Sequence, residues 1–256
     1  AAEMTDWPQG DRITSEMTRI NAEKYQPVTD SAFKKEAFTA AFLVIKDEQI
    51  IIEHYANGAH KDMQLESWSM GKSLTATLIG VLIQQGKLTL DQKAPIEAWQ
   101  QEGDPRKEIT IRNLLNMNSG LRFAAHRDPD LEISFTELPH LYIYMEAMDV
   151  FDFAVNRPLE FVPGSTGRYR NSDPLALGLI IRNEVEAAGG NYLTWPQSAL
   201  FDKIGIREQI LETDIYGNFI MTGFDYGTAR NWGRIAMLYL NDGMWNGERI
   251  LRSEEH

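Results

Sequence analysis

The sequence predicts an α/β fold of the α+β kind, a single compact unit with an opening hairpin, a buried central helix and a helical insertion. Three observations predict it. Ala40 to Ile45 (AAFLVI) and Ile50 to Tyr55 (IIIEHY) are β-rich runs separated only by Lys46-Asp47-Glu48-Gln49, the pattern of an antiparallel hairpin. Leu74 to Ile83 is apolar on most faces, which places its helix in the interior. Further on, helix starts and stops alternate without an internal repeat, a low-complexity tract or a linker.

Taken in order, residues 1–37 are polar with scattered apolar positions (Ile13, Met17, Ile20), consistent with a short surface helix. The hairpin follows; Asn57-Gly58 ends its second strand, and the segment to Ser67 reads as irregular. A helix from Ser69 runs to Gly86, a glycine stop followed by Lys87-Leu88-Thr89-Leu90-Asp91 and Pro95. Ile109 to Leu115 opens another element, closed by Asn118-Ser119-Gly120. Residues 122–149 carry few regular signals, and Asp149 to Asn156 reads as a short helix. Phe161-Val162-Pro163-Gly164 is a turn. Asp173-Pro174 supplies an N-cap and first helical position for Leu175 to Glu186, and Gly189-Gly190 ends that helix. Thr228 to Leu240 is the last helix, stopped by Asn241-Asp242-Gly243.

A chain of 256 residues can bury a core without staples. With 25 basic against 37 acidic side chains the formal charge is −12, which argues against a nucleic-acid surface and gives no attraction to anionic lipid. There is no cysteine, so disulfides and thiol nucleophiles are excluded. No apolar run reaches the length of a membrane span, since Leu74 to Ile83 is broken by Thr75, Thr77 and Gly80. Ala1-Ala2-Glu3 lacks the regions of a signal peptide, but a cleaved one leaves no trace, so periplasm and cytoplasm both stay open. Oligomeric state is not readable from the sequence.

The stretch Glu66 to Ile83 (ESWSMGKSLTATLIGVLI) carries the chemistry. Ser69 and Lys72 are three residues apart and share one face if Ser69 opens the helix. A serine hydroxyl needs a base to attack at neutral pH, and a lysine serves as that base only when part of it is neutral. Burial and the positive end of a helix dipole both lower a lysine pKa. The same pair suits an N-capping serine and a snorkelling lysine, and the spacing recurs at Ser31 and Lys34, where Lys35 and Glu36 indicate a solvated helix start.

The tripeptide pattern YxN occurs three times, at Tyr55, Tyr169 and Tyr216. Only Tyr169-Arg170-Asn171 lies between a Pro-Gly turn and a capped helix. Tyr169 could pass a proton to a leaving group and Asn171 could hold a carbonyl; a buried tyrosine beside a turn asparagine is the plainer alternative. His140, Tyr142 and Tyr144 are candidate pocket residues from the aromatic cluster before Asp149. The histidines (His54, His60, His126, His140, His256) show neither HxH nor HExxH spacing, so no metal is expected, and no phosphate loop is present, so no cofactor is expected. Ser67-Trp68-Ser69-Met70-Gly71 misses the GxSxG elbow by one glycine.

Together the segments SMGK, GKLTLDQKA, ITIRNLLNMNSGL, FVPGSTGRYRNSD and GTARNWGRIAMLYLNDGMWNGERIL, in this order, resemble the serine β-lactamase and penicillin-binding-protein superfamily on its class C and esterase branch. The stretch from Asp149 onward looks most like the nylon-oligomer (aminohexanoate-dimer) hydrolases. The resemblance implies a β-lactamase/transpeptidase-like fold: an antiparallel sheet flanked by helices, plus an all-helical region at roughly 88–225, in one catalytic domain over 1–256. It implies that Ser69 is the acylated nucleophile and half of an oxyanion hole, Lys72 its base, Tyr169 a proton shuttle and Asn171 a substrate-binding amide. The third motif of the family, a KTG or HxG on a later strand, has no counterpart, and neither do the later strands; the reading favoured is an incomplete record of a longer protein.

The function expected is a serine hydrolase acting on a small ester or amide, β-lactams included, through an acyl-enzyme. The competing readings are a binding or sensor homologue without turnover and a peptidase acting on D-amino-acid peptides of the cell wall.

Overall fold

The computed structural model describes residues 2–13, 23–125, 128 and 138–253. In chain order its helices are α1 (Gln26–Ala32), α2 (Gly71–Gln84), α3 (Ile111–Leu115), α4 (Pro139–Met145), α5 (Val150–Val155), α6 (Ser172–Ala187) and α7 (Ala229–Leu240). The strands are β1 (Ala41–Lys46), β2 (Gln49–Tyr55), β3 (Leu65–Glu66), β4 (Ile210–Leu211), β5 (Asp225–Gly227), β6 (Met244–Trp245) and β7 (Glu248–Arg249). They gather into two compact units. The first holds Ala1–Glu66, Gln197–Ile210 and Tyr226–Ile250; the second holds Ser67–Pro196, Leu211–Asp225 and Leu251–His256.

In the first unit β1 and β2 pair antiparallel, with Ala41 opposite Tyr55 and Val44 opposite Ile52. The strands run one residue further than their apolar cores, to Lys46 and Gln49, so that only Asp47 and Glu48 make the turn. Both adopt left-handed backbone (φ 50° and 59°), the conformation that matches the twist of a two-residue hairpin. Helix α7 starts at Thr228, whose hydroxyl accepts from the Asn231 N–H at 3.1 Å. It lies tight on β1: a β-carbon at Gly233 would come within 2.8 Å of Leu43 and 2.9 Å of Ile45. Its two buried arginines are both paired. Arg230 grips Glu53 of β2 through two bonds of 2.7 Å, and Arg234 reaches Asp11 at 2.6 Å and the carbonyls of Pro8 and Gly10 at 2.8 Å. The segment between Asn57 and Ser67, expected to be irregular, contains β3, which pairs with β5 as Leu65 opposite Gly227 and Glu66 opposite Tyr226. Two residues are too few to show an alternating pattern.

In the second unit α2 is central. Leu78 and Ile79 have no exposed surface and Leu74, Val81, Leu82 and Ile83 almost none. Each such side chain contributes about 1.5–3 kcal/mol relative to an exposed one. The helix ends as expected at Gly86 (φ 71°), where Lys87 N–H closes back on the Leu82 carbonyl at 2.9 Å. Helix α6 packs on α2, α3 and α5. Asp149 caps α5 by accepting from the Phe151 and Asp152 N–H groups.

Further expectations require correction here. The helix read from Ser69 begins at Gly71; Trp68–Met70 is a tighter 3₁₀ turn. Helix α6 begins at Ser172, so Asp173 is inside its first turn and not its cap, because the carboxylate is taken by Ser119 and Ser172. Within the region read as lacking regular structure, α4 forms behind Pro139 at the first helical position. Of the N-terminal apolar positions, Met17 and Ile20 lie outside the described residues, as do His126 and His256; the surface helix is α1, with Ser31 in its last turn and not at its start. Among the described residues no helix is long and apolar enough to cross a membrane.

Candidate active site

The turn Trp68–Met70 sets the direction in which α2 begins. Trp68 has φ 46°, a left-handed backbone that side chains of its size rarely adopt. The turn is held from both sides. Before it, the Ser67 hydroxyl donates to the Asp225 carboxylate and the Ser67 N–H donates to the Asp225 carbonyl at 2.9 Å. Behind it, Gly223 packs its main chain on that of Trp68. Ser69 is exposed at the apex.

Lys72 lies one residue into α2 and is 9% exposed. Its Nζ donates to Ser69 Oγ at 3.2 Å and to the Thr222 carbonyl at 3.0 Å. Burial lowers its pKa from the ordinary lysine value to about 8. One turn further, the Thr75 hydroxyl donates to the Met221 carbonyl at 2.7 Å, so residues 71–75 of α2 carry the 221–225 segment against them. The serine and lysine that share SxxK spacing at Ser31 and Lys34 are both exposed.

Tyr169 is 53% exposed, and the Lys72 nitrogen stands 4.9 Å from the centre of its ring. Asn171 is fully buried at the N-cap of α6. Its amide donates to the His140 carbonyl at 3.2 Å and to the Tyr144 hydroxyl at 3.4 Å, while its own oxygen Oδ1 finds no partner among the described residues. Tyr144 is raised to about 12 by burial, so its phenol stays protonated. The structure therefore brings Ser69, Lys72 and Tyr169 together, with Asn171 joined through Tyr144. His140 takes part through its main chain. Tyr142 has Phe153 as its ring partner, at 4.8 Å.

Arg170, between the two motif residues, donates to Asp128 at 2.7 Å and is almost wholly buried. Asp173 follows on α6. Its carboxylate accepts from the Ser119 hydroxyl at 2.8 Å and the Ser172 hydroxyl at 2.8 Å, which ties the end of the Asn118-Ser119-Gly120 turn to the base of the Tyr169–Asn171 segment.

The arrangement can remove a proton from a hydroxyl and hold it on a nitrogen of matched pKa, with the Tyr169 ring 4.9 Å from the same nitrogen. Three participants were not visible in the sequence: the Thr222 carbonyl, the left-handed Trp68, and the Ser67–Asp225 clasp. Two are main-chain features with no residue-type signature, and the third joins positions 158 residues apart. Among the described residues no cluster of His, Cys, Asp and Glu could hold a metal ion.

Comparison with known proteins bears on the family and the fold. The family profile described as Beta-lactamase matches residues 24–217. A 6-aminohexanoate-dimer hydrolase of Paenarthrobacter ureafaciens is 24% identical over 228 residues, 85% of this chain and 56% of the hydrolase. A solved structure from Bacillus anthracis, provisionally described as a 6-aminohexanoate-dimer hydrolase, superposes with a TM-score of 0.69 at 24% identity, covering 84% of this chain and 57% of that one. The D-amino acid amidase of Ochrobactrum anthropi SV3 gives 0.58 at 20% identity over 84% and 67%. The chain thus spans little more than half the length of that curated hydrolase. A profile match across three quarters of the residues, and helices and antiparallel strands arranged as in these structures, place the chain in the β-lactamase family, with the β-lactamase-like fold.

Proposed function

We propose that the protein is a serine hydrolase that cleaves a small ester or amide through an acyl-serine intermediate, its 256 residues belonging to one catalytic domain. The observation that carries this reading is the 3.2 Å contact between Lys72 Nζ and Ser69 Oγ, made by a lysine whose burial brings its pKa to about 8. Neutral Lys72 accepts the Ser69 proton as Oγ bonds to the substrate carbonyl carbon. Collapse of the tetrahedral adduct breaks the bond to the leaving group. That group takes the proton from Lys72, directly or through the Tyr169 hydroxyl. Water then attacks the acyl-serine, gives a proton back through the same nitrogen, and releases the acid. The Ser69 N–H supplies one donor to the oxyanion.

The test is intact-mass labelling of the full-length protein with a fluorophosphonate and with a penicillin. One adduct on the wild type and none on Ser69→Ala is the expected result. No adduct, or one that persists in Ser69→Ala, removes the reading. A penicillin adduct that never clears, with no product from any ester, marks a sensor homologue instead; release of D-amino acids from cell-wall peptides marks a peptidase.

A further inference from the structure

The residue just before the proposed nucleophile carries an unexplained expense. Trp68 holds a strained left-handed backbone and yet leaves 53% of its surface in solvent. A large aromatic side chain at positive φ is disfavoured, and exposing it forgoes the burial that would offset the strain. Its ring is nevertheless fixed. Tyr144 and Phe224 meet it edge to face, with centroids 5.8 and 6.0 Å away, and pack on each other at 4.6 Å. Gly223 locks its main chain. These three rings form an uncharged aromatic wall beside Ser69, rigid before any ligand arrives.

We infer that Trp68 is a specificity-determining residue: its exposed indole face binds an apolar, preferentially aromatic, acyl group of the substrate. The inference rests on the proposed acyl transfer to Ser69 and names the substrate class of that site. Lys72 and Tyr169 lie together, 4.9 Å from nitrogen to ring centre, and the leaving group takes its proton from them and departs. The acyl group stays bonded to Ser69 and so stays with its immediate chain neighbour, Trp68. A preorganised ring of this kind restricts little freedom on binding, so the stacking is realised as selectivity.

The experiment compares kcat/KM of the full-length protein on p-nitrophenyl esters with one leaving group and three acyl groups: acetyl, 3-phenylpropionyl and 4-(trimethylammonio)butyryl. Wild type is expected to prefer the phenylpropionyl ester over the acetyl ester by about tenfold or more. Trp68→Gly, which suits the positive φ, should bring that ratio to about two or below, and Trp68→Phe should keep most of it. Trp68→Asn, a second residue that tolerates left-handed backbone, repeats the comparison if Trp68→Gly does not fold. A ratio that is the same in wild type and both non-aromatic variants overturns the inference, as does a wild-type preference for the cationic ester. Fluorophosphonate labelling separates the two levels. Labelled Ser69 without an acyl preference removes the Trp68 subsite alone; no labelling and no turnover removes the Ser69 reading and the subsite with it.

Discussion

A β-carbon placed on Gly223 would lie 2.7 Å from the carbonyl carbon of Trp68 and 2.8 Å from its oxygen. The obstructing atoms are main chain and cannot swing aside, so Gly223→Ala must displace either the 221–225 segment or the turn that presents Ser69. The expected result is a loss of about 1–3 kcal/mol in stability, read by urea denaturation. Fluorophosphonate labelling of Ser69 should slow as well, since both displaced segments bear on Lys72.

Burial has brought Lys72 down to about 8, and neutral amine is the form that accepts a proton. Labelling of Ser69 should therefore rise about tenfold per pH unit below pH 8 and level off above it, measured by mass spectrometry from pH 6 to 10. Stability follows the same group. Its folded pKa is below the unfolded value, so the unfolded chain binds more protons between about 8 and the ordinary lysine range, and stability from this group grows as pH rises through that window. Relative to Lys72→Met, wild type should gain stability between pH 8 and 10.5, a difference seen in paired urea titrations.

Asp173 behaves with the opposite sign. Complete burial raises it to about 6, against the pull of hydrogen bonds from Ser119 and Ser172. The folded chain then holds a proton that the unfolded chain releases, and the contribution is present below about pH 4 and lost as pH climbs to 6. Asp173→Asn should flatten the urea midpoint across pH 4 to 6. Asp173→Ala, which leaves two buried serine hydroxyls without their acceptor, should cost about 2–4 kcal/mol below pH 4 and less above pH 6.

Arg230 and Glu53 form a buried two-pronged pair, their side chains 8% and 12% exposed. Arg230→Met strands the carboxylate and should cost about 3–5 kcal/mol, whereas Arg230→Met with Glu53→Met should recover most of it. Thermal and urea midpoints of the three variants decide the matter.

What the sequence made legible was whatever the chain encodes locally. Thr228 before Ala229, Asp149 before Val150, the glycine stop at Gly86 and the β-branched hairpin all act within a few residues, and each stands where it was read. Asp173-Pro174 shows the limit: the pair reads as a cap, but Ser119, 54 residues earlier, claims the carboxylate and the helix begins at Ser172. Of the candidate site residues, Ser69, Lys72 and Tyr169 could be picked out because the family resemblance fixes their types. Asn171 could be picked out too, but not the bond that turns its amide toward the His140 carbonyl. The role of His140 was invisible because a carbonyl is common to every residue, and Tyr142 faces Phe153 through packing that no spacing rule describes.

The carbonyl of Thr222 gives the Lys72 contact a further meaning. An amine and an ammonium can both donate to it, so the nitrogen is moored at 3.0 Å whichever form it takes. A neutral lysine held there by one N–H keeps its lone pair available for Ser69. When the proton crosses, the anchor does not have to be exchanged, and the base ends the step where it began it. The placement of this lysine, on which its proposed role as base depends, is thus a property of a main-chain oxygen on a distant segment, and it would survive any substitution of the Thr222 side chain that left the path of residues 221–223 intact.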